Sequence, residues 1–160
     1  MRLFLALELP KSGLDLLQQL QGTLKKYGRG RFTPRQNLHL TMVFIGQADP
    51  DAVVQCLADI HPPRQTLTVT GLGHFGDLIH AAVRPTADLR QLQNELQTKL
   101  QTAGFKLEDR KFIPHITLCR KYLGKPPQIP AGTILSGARL VLMASDLQPT
   151  GAVYTPIKYF

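Results

Sequence analysis

The chain has little sulfur to work with: two cysteines in 160 residues, Cys56 and Cys119, are too few and too scattered for a disulfide framework or a zinc site. Both read as packing thiols, which suits a reducing compartment and predicts a cytoplasmic protein. Long hydrophobic runs are missing too. No apolar stretch approaches the 18 residues of a membrane span. The N-terminal run in "MRLFLALELP" is broken by Glu8 and ended by Pro10, so it reads as a first strand rather than a signal peptide. No membrane partner is expected. A glycine-rich phosphate loop is absent, and Ser12, Ser136 and Ser145 lie in no Gly-x-Ser-x-Gly turn, which removes the P-loop and serine-hydrolase readings.

Acidic side chains are scarce as well. Eleven carboxylates stand against nineteen lysines and arginines, a net charge of +8, and such a surface attracts polyanions. The basic residues gather in "KKYGRGRFTPR", Lys25 to Arg35, and "RKFIPHITLCRK", Arg110 to Lys121. Nucleic acid or nucleotide is the favoured partner. With 43% apolar residues the chain can bury one sizeable core, or two small lobes sharing an interface, without metal or disulfide. A single bilobal domain over residues 1–160, acting as a monomer, is expected.

The second basic cluster surrounds a histidine and the first leads into one. In "NLHLTMVFIG", Asn37 to Gly46, strand alternation places His39 and Thr41 on one face with Val43 and Ile45, and Leu38, Leu40, Met42 and Phe44 on the inward face. In "KFIPHITLCR" the pattern returns, with His115 and Thr117 sharing a face opposite Pro114, Ile116 and Leu118. The segments "RFTP" and "KFIP" precede the two copies. That shared context favours an internal duplication.

Strand signals fall at about 2–8, 37–45, 65–74, 77–83, 114–120, 133–145 and 151–159. Three helices fit between them: one carrying Leu14, Leu17, Leu20 and Leu24 after a cap-like Ser12, one over Ala52 to Ile60 after Asp49-Pro50, and one carrying Leu89, Leu92, Leu96 and Leu100 up to Gly104. "FGD" at Phe75 to Asp77 predicts a hairpin, "GKPPQIPAG" an extended loop, and His61 and His74 read as loop residues. The class is α+β with mostly antiparallel sheets.

Two imidazoles facing one cleft suit displacement at phosphorus, one taking a proton from the attacking oxygen and one giving a proton to the leaving oxygen. A catalytic zinc site wants three protein ligands, and neither motif supplies His-x-His, His-x3-His or an adjacent carboxylate, so no metal and no cofactor are expected. The threonine hydroxyls are suited to phosphate oxygens as charge builds there.

These residues resemble the 2H phosphoesterases, named for two His-x-Thr/Ser motifs, and within them the bacterial and archaeal RNA 2′,3′-cyclic phosphodiesterases, historically called 2′-5′ RNA ligases. "RLFLALELP" is similar to that family's first strand, "NLHLTMVFIG" and "KFIPHITLCR" to its two motifs, and "YTPIKYF" to its last strand. His80 stands where the family frequently has tryptophan. The resemblance implies two pseudo-symmetric lobes flanking a central cleft, helices outside, one motif from each lobe. It further implies hydrolysis of RNA or nucleotide 2′,3′-cyclic phosphates to 2′-phosphates, with His115 as base, His39 as acid, and Thr41, Thr117 and Arg120 on the phosphate. Ligation to a 5′-hydroxyl by the same groups, and a non-catalytic RNA-end or nucleotide-binding module, are the alternatives.

Overall fold

Leucines spaced three and four apart give each long helix one apolar stripe, and the stripes decide what the helices cover. In the computed structural model, which describes residues Met1–Phe160, helix α1 (Lys11–Tyr27) buries Leu17, Gln21 and Leu24. Helix α3 (Ala87–Thr102) buries Leu89, Leu92, Leu96 and Leu100. A short α2 (Pro50–Cys56) buries Val53. The strands are β1 (Arg2–Glu8), β2 (Gly28–Phe32), β3 (His39–Gln47), β4 (Gln65–Phe75), β5 (Leu78–Val83), β6 (His115–Gly124), β7 (Thr133–Gln148) and β8 (Gly151–Tyr159). Every ladder is antiparallel, so the class is α+β.

The sheet has two halves. One runs β3–β1–β7–β8 and the other β2–β6–β5–β4. Hydrogen bonding continues from one half into the other at two seams: β4 pairs with the first part of β7, and β3 meets β6 at the single bridge Leu40–Ile116. Each half contains the same unit, in which a strand leads through a helix to a motif strand that returns antiparallel beside it: β1–α1–β3 in one half, β5–α3–β6 in the other. Thirty-one buried residues form the main core, with Leu5, Leu7, Leu40 and Ile116 fully enclosed. Burying one such side chain contributes roughly 1.5–3 kcal/mol, so the two residues of the narrow seam are firmly anchored.

Several local expectations change. Helix α1 begins at Lys11 with Pro10 in the capping position and no side-chain cap, so Ser12 lies in its first turn. Helix α2 stops at Cys56 rather than Ile60. Strand β2, glycine-rich and basic, carries no apolar signal and exists because it pairs along the edge of β6. His74 belongs to β4, not a loop. The most consequential change is in β3. The register with β1 slips between Leu5 and Ala6, which face Val43 and Thr41, leaving Met42 as the extra residue of a bulge. Beyond it the alternation inverts: Val43 and Ile45 turn inward and Phe44 comes out 55% exposed on the histidine side.

Candidate active site

The seam between the halves assembles the motif residues. Leu40 and Ile116 face each other across it and are fully buried, so their neighbours along each strand point the other way. In an antiparallel pair the residue before one position lies opposite the residue after its partner. His39 therefore lies across from Thr117, and Thr41 across from His115. The two histidines occupy diagonal positions, a separation of ~7–8 Å in a regular ladder. All four side chains are partly exposed.

Both imidazoles are held the same way. His39 Nδ1 lies 2.6 Å from the carbonyl oxygen of Asn37, and His115 Nδ1 lies 2.6 Å from that of Ile113. A carbonyl can only accept, so in each ring Nδ1 carries the hydrogen and Nε2 is left to exchange a proton. Asn37 is fixed in turn, its side-chain amide donating to the Ala152 carbonyl on β8 at 2.9 Å. The halves differ at the other nitrogen. His39 Nε2 lies 2.9 Å from the Thr41 hydroxyl, whereas His115 has no such bond to Thr117.

Around His39 the wall is aromatic. Phe4 packs at 5.1 Å and Tyr154 edge-on at 5.3 Å between ring centroids. Burial, and then the positive charges of His115 and Arg120, hold the His39 imidazole below its ordinary pKa against the opposing effect of the Asn37 carbonyl. Arg120 is thus within electrostatic reach of His39, although it is exposed and joins none of the ion pairs. Next to His39 on β1, Glu8 accepts a hydrogen bond from the Tyr159 hydroxyl at 2.8 Å, which pushes that phenol's pKa up, and Arg139 lies over the Tyr159 ring at 4.4 Å.

His115 leans on a second histidine. His80 and Phe75 lie 5.1 Å from its ring. His80 is 5% exposed, and its Nδ1 has no hydrogen-bond partner. Burial, assisted by the charges of His115 and His74, pulls its pKa down to about 4 despite the Ala81 backbone, so it is neutral at pH 7. The ring lies flat on β4 because Gly73 sits there: a Cβ at that position would meet His80 Cε1 at 2.4 Å.

Sequence reasoning missed Phe4, Tyr154 and Phe75, which the cross-strand register brings to the histidines from three other strands. It also missed the packing role of His80, signalled by its place in the apolar run "LIHAAV".

Solved structures share this fold, and sequence comparisons point the same way. Residues 9–131 match the family described as the 2′-5′ RNA ligase superfamily. A protein of Escherichia coli strain K12 named RNA 2′,3′-cyclic phosphodiesterase is 32% identical over 165 residues, 98% of this chain and 94% of that one. One of the same name from Geobacillus stearothermophilus is 28% identical over 135 residues, 72% of this chain and 42% of its own length. Among solved structures, E. coli LigT complexed with 3′-AMP superposes with a TM-score of 0.81 at 27% identity, covering 99% of this chain and 96% of LigT.

Proposed function

Because the chain belongs to the 2′-5′ RNA ligase superfamily, we propose that it hydrolyses 2′,3′-cyclic phosphates of RNA ends or nucleotides to 2′-phosphates. The observation that carries this reading is the pair of imidazoles pinned alike at Nδ1 on two strands that meet at the Leu40–Ile116 bridge. Water attacks phosphorus as His115 Nε2 takes its proton. The P–O3′ bond breaks, and His39 Nε2 gives a proton to the departing O3′. Thr41 and Thr117 donate to the non-bridging oxygens, whose charge grows in the transition state, and Arg120 adds positive charge beside them.

His39 is neutral before substrate arrives, since burial and its positive neighbours disfavour a second proton. The phosphate anion supplies the opposite charge, so substrate binding loads the acid. Thr41 must then exchange its bond with His39 Nε2 for one with the phosphate. The unpaired, buried or half-buried thiols Cys56 and Cys119 support a reducing, cytoplasmic setting.

Incubation with a nucleoside 2′,3′-cyclic phosphate in EDTA, followed by ³¹P NMR, tests the reaction. The expected product is the 2′-phosphate, formed at the same rate with and without chelator. His39→Ala and His115→Ala should each lower kcat by ~10²–10⁴, with His115→Ala leaving affinity for the 2′-nucleotide product nearly unchanged. A 3′-phosphate would reverse which bond breaks, and a strict metal requirement would remove the acid–base scheme.

A further inference from the structure

The imidazole of His115 is anchored at one point. Its Nδ1 lies 2.6 Å from the Ile113 carbonyl, and it has no second hydrogen bond, unlike His39, whose Nε2 also meets the Thr41 hydroxyl at 2.9 Å. The χ2 torsion of histidine is broad and roughly two-fold, so a single bond leaves the ring free to tilt. A base must hold its free nitrogen on the attacking oxygen, and a misplacement of about 1 Å costs ~10²-fold in rate. A second restraint is needed.

Gly73 on β4, His80 on β5 and Thr117 on β6 are successive register partners across the sheet, so all three lie on the face that carries His115. Gly73 leaves its place in that row empty, and the His80 ring fills it: a Cβ on Gly73 would meet His80 Cε1 at 2.4 Å and Nε2 at 2.9 Å. Seated there, the His80 ring meets that of His115 at 5.1 Å. Phe75 closes the corner, 4.6 Å from His80 and 5.1 Å from His115. At 5% exposure His80 has no face left for a ligand. Burial and the charge of His115 keep it neutral at pH 7, so a proton taken up by His115 is not drawn off by the ring beside it. The other titratable group facing it, His74, disfavours its protonation in the same way.

We propose that His80 is a positioning residue of the reaction: seated on Gly73, its ring is the wall that keeps the His115 imidazole with Nδ1 on the Ile113 carbonyl and Nε2 toward the phosphorus. This rests on the reading of His115 as the base. His80 acts through His115 and touches no reacting atom. A flat, uncharged ring is all the wall requires, so a phenyl group at this position should serve and a methyl group should not.

The experiment uses His80→Ala, which removes the wall, His80→Phe, which keeps it, and Gly73→Ala, whose new Cβ displaces the ring while His80 stays in the chain. With a nucleoside 2′,3′-cyclic phosphate, His80→Ala and Gly73→Ala should each lower kcat about 10–10²-fold and leave KM within about twofold, the pattern of an interaction felt in the transition state. The conservative His80→Phe should rescue most of kcat. Gly73→Ala combined with His80→Ala should be no slower than His80→Ala alone, because the glycine acts through the ring. NMR follows the His115 Nδ1–H: a hydrogen-bonded, low-field signal is expected in the wild type and His80→Phe, and its loss to exchange with water in His80→Ala. Wild-type kcat in His80→Ala, a loss confined to KM, or His80→Phe as slow as His80→Ala would each overturn the proposal. Should the urea midpoint show His80→Ala too unstable to assay, Gly73→Ala set against His80→Phe decides on the same terms. Should the wild type turn over no cyclic phosphate, the hydrolytic reading fails by itself, and the NMR signal still decides for the wall: its persistence in His80→Ala would eliminate it.

Discussion

At the scale of single residues, chemistry depends on which nitrogen is free. The carbonyls of Asn37 and Ile113 take the Nδ1 hydrogen of each motif histidine, so the tautomer is set by backbone two residues upstream, before any ligand arrives. The halves are not equivalent, because His39 is the more enclosed ring and Thr41 already occupies its Nε2. Burial and positive neighbours place its pKa below the ordinary 6.5, and an anion beside it must move that value up. Sulfate, whose charge is fixed over this range, makes the test clean. In an NMR titration the His39 Cε1 proton should report a pKa below 6.5 without sulfate and a higher one with it. By linkage, sulfate affinity should therefore strengthen as pH falls. A His39 resonance indifferent to sulfate would remove this residue from the phosphate site.

At the scale of elements, the second motif strand is held from behind by one buried amide. Gln21 on α1 donates from Nε2 to the Thr33 carbonyl at 2.8 Å and to the Leu118 carbonyl at 3.0 Å. Leu118 also receives the Thr33 backbone N–H, so only the Thr33 carbonyl loses all support if the amide goes. Gln21→Leu should cost about 1–3 kcal/mol, the usual penalty of one orphaned buried acceptor, read as a lower urea midpoint with an unchanged slope. No loss of stability would show that water or a rearranged loop satisfies that carbonyl. Helix α3 was legible because its leucines repeat at helical spacing, and so were the motif strands because apolar residues alternate with His and Thr. Strand β2 was not, since "GRGRF" has neither pattern and owes its form to a partner distant in the chain, from Gly28–Gly124 to Phe32–Cys119. The inversion after Met42 was equally hidden. A bulge is a matter of register between two strands, and the residues of β3 alone read as unbroken alternation. The shared face of His39 and Thr41, and of His115 and Thr117, was therefore readable, while Phe44 was assigned to the wrong face.

At the scale of the whole molecule, the site and the stability share a group. His80 is packed between Gly73 and the ring of His115 with its Nδ1 unpartnered, and its pKa is about 4 in the folded state against 6.5 for the free side chain. The unfolded chain therefore binds a proton at higher pH than the fold does. Stability from this residue is fully present above pH 6.5 and is lost as pH falls toward 4, a change of about 3 kcal/mol across that window. The charged groups facing it are His115 on β6 and His74 on its own hairpin partner β4, and protonation of either works in the same direction. His39, also depressed, adds a loss of the same sign. Asp15 and Asp59 titrate below their ordinary 3.8 and so lie outside the window. Urea unfolding at pH 7, 6, 5 and 4 should show a progressive decline in the wild type. His80→Phe, which keeps an aromatic ring against Gly73 and removes both the proton and the unpartnered nitrogen, should flatten most of it. If His80→Phe declines as steeply as the wild type, the acid sensitivity comes from elsewhere and the third imidazole behind His115 is titrating in the open.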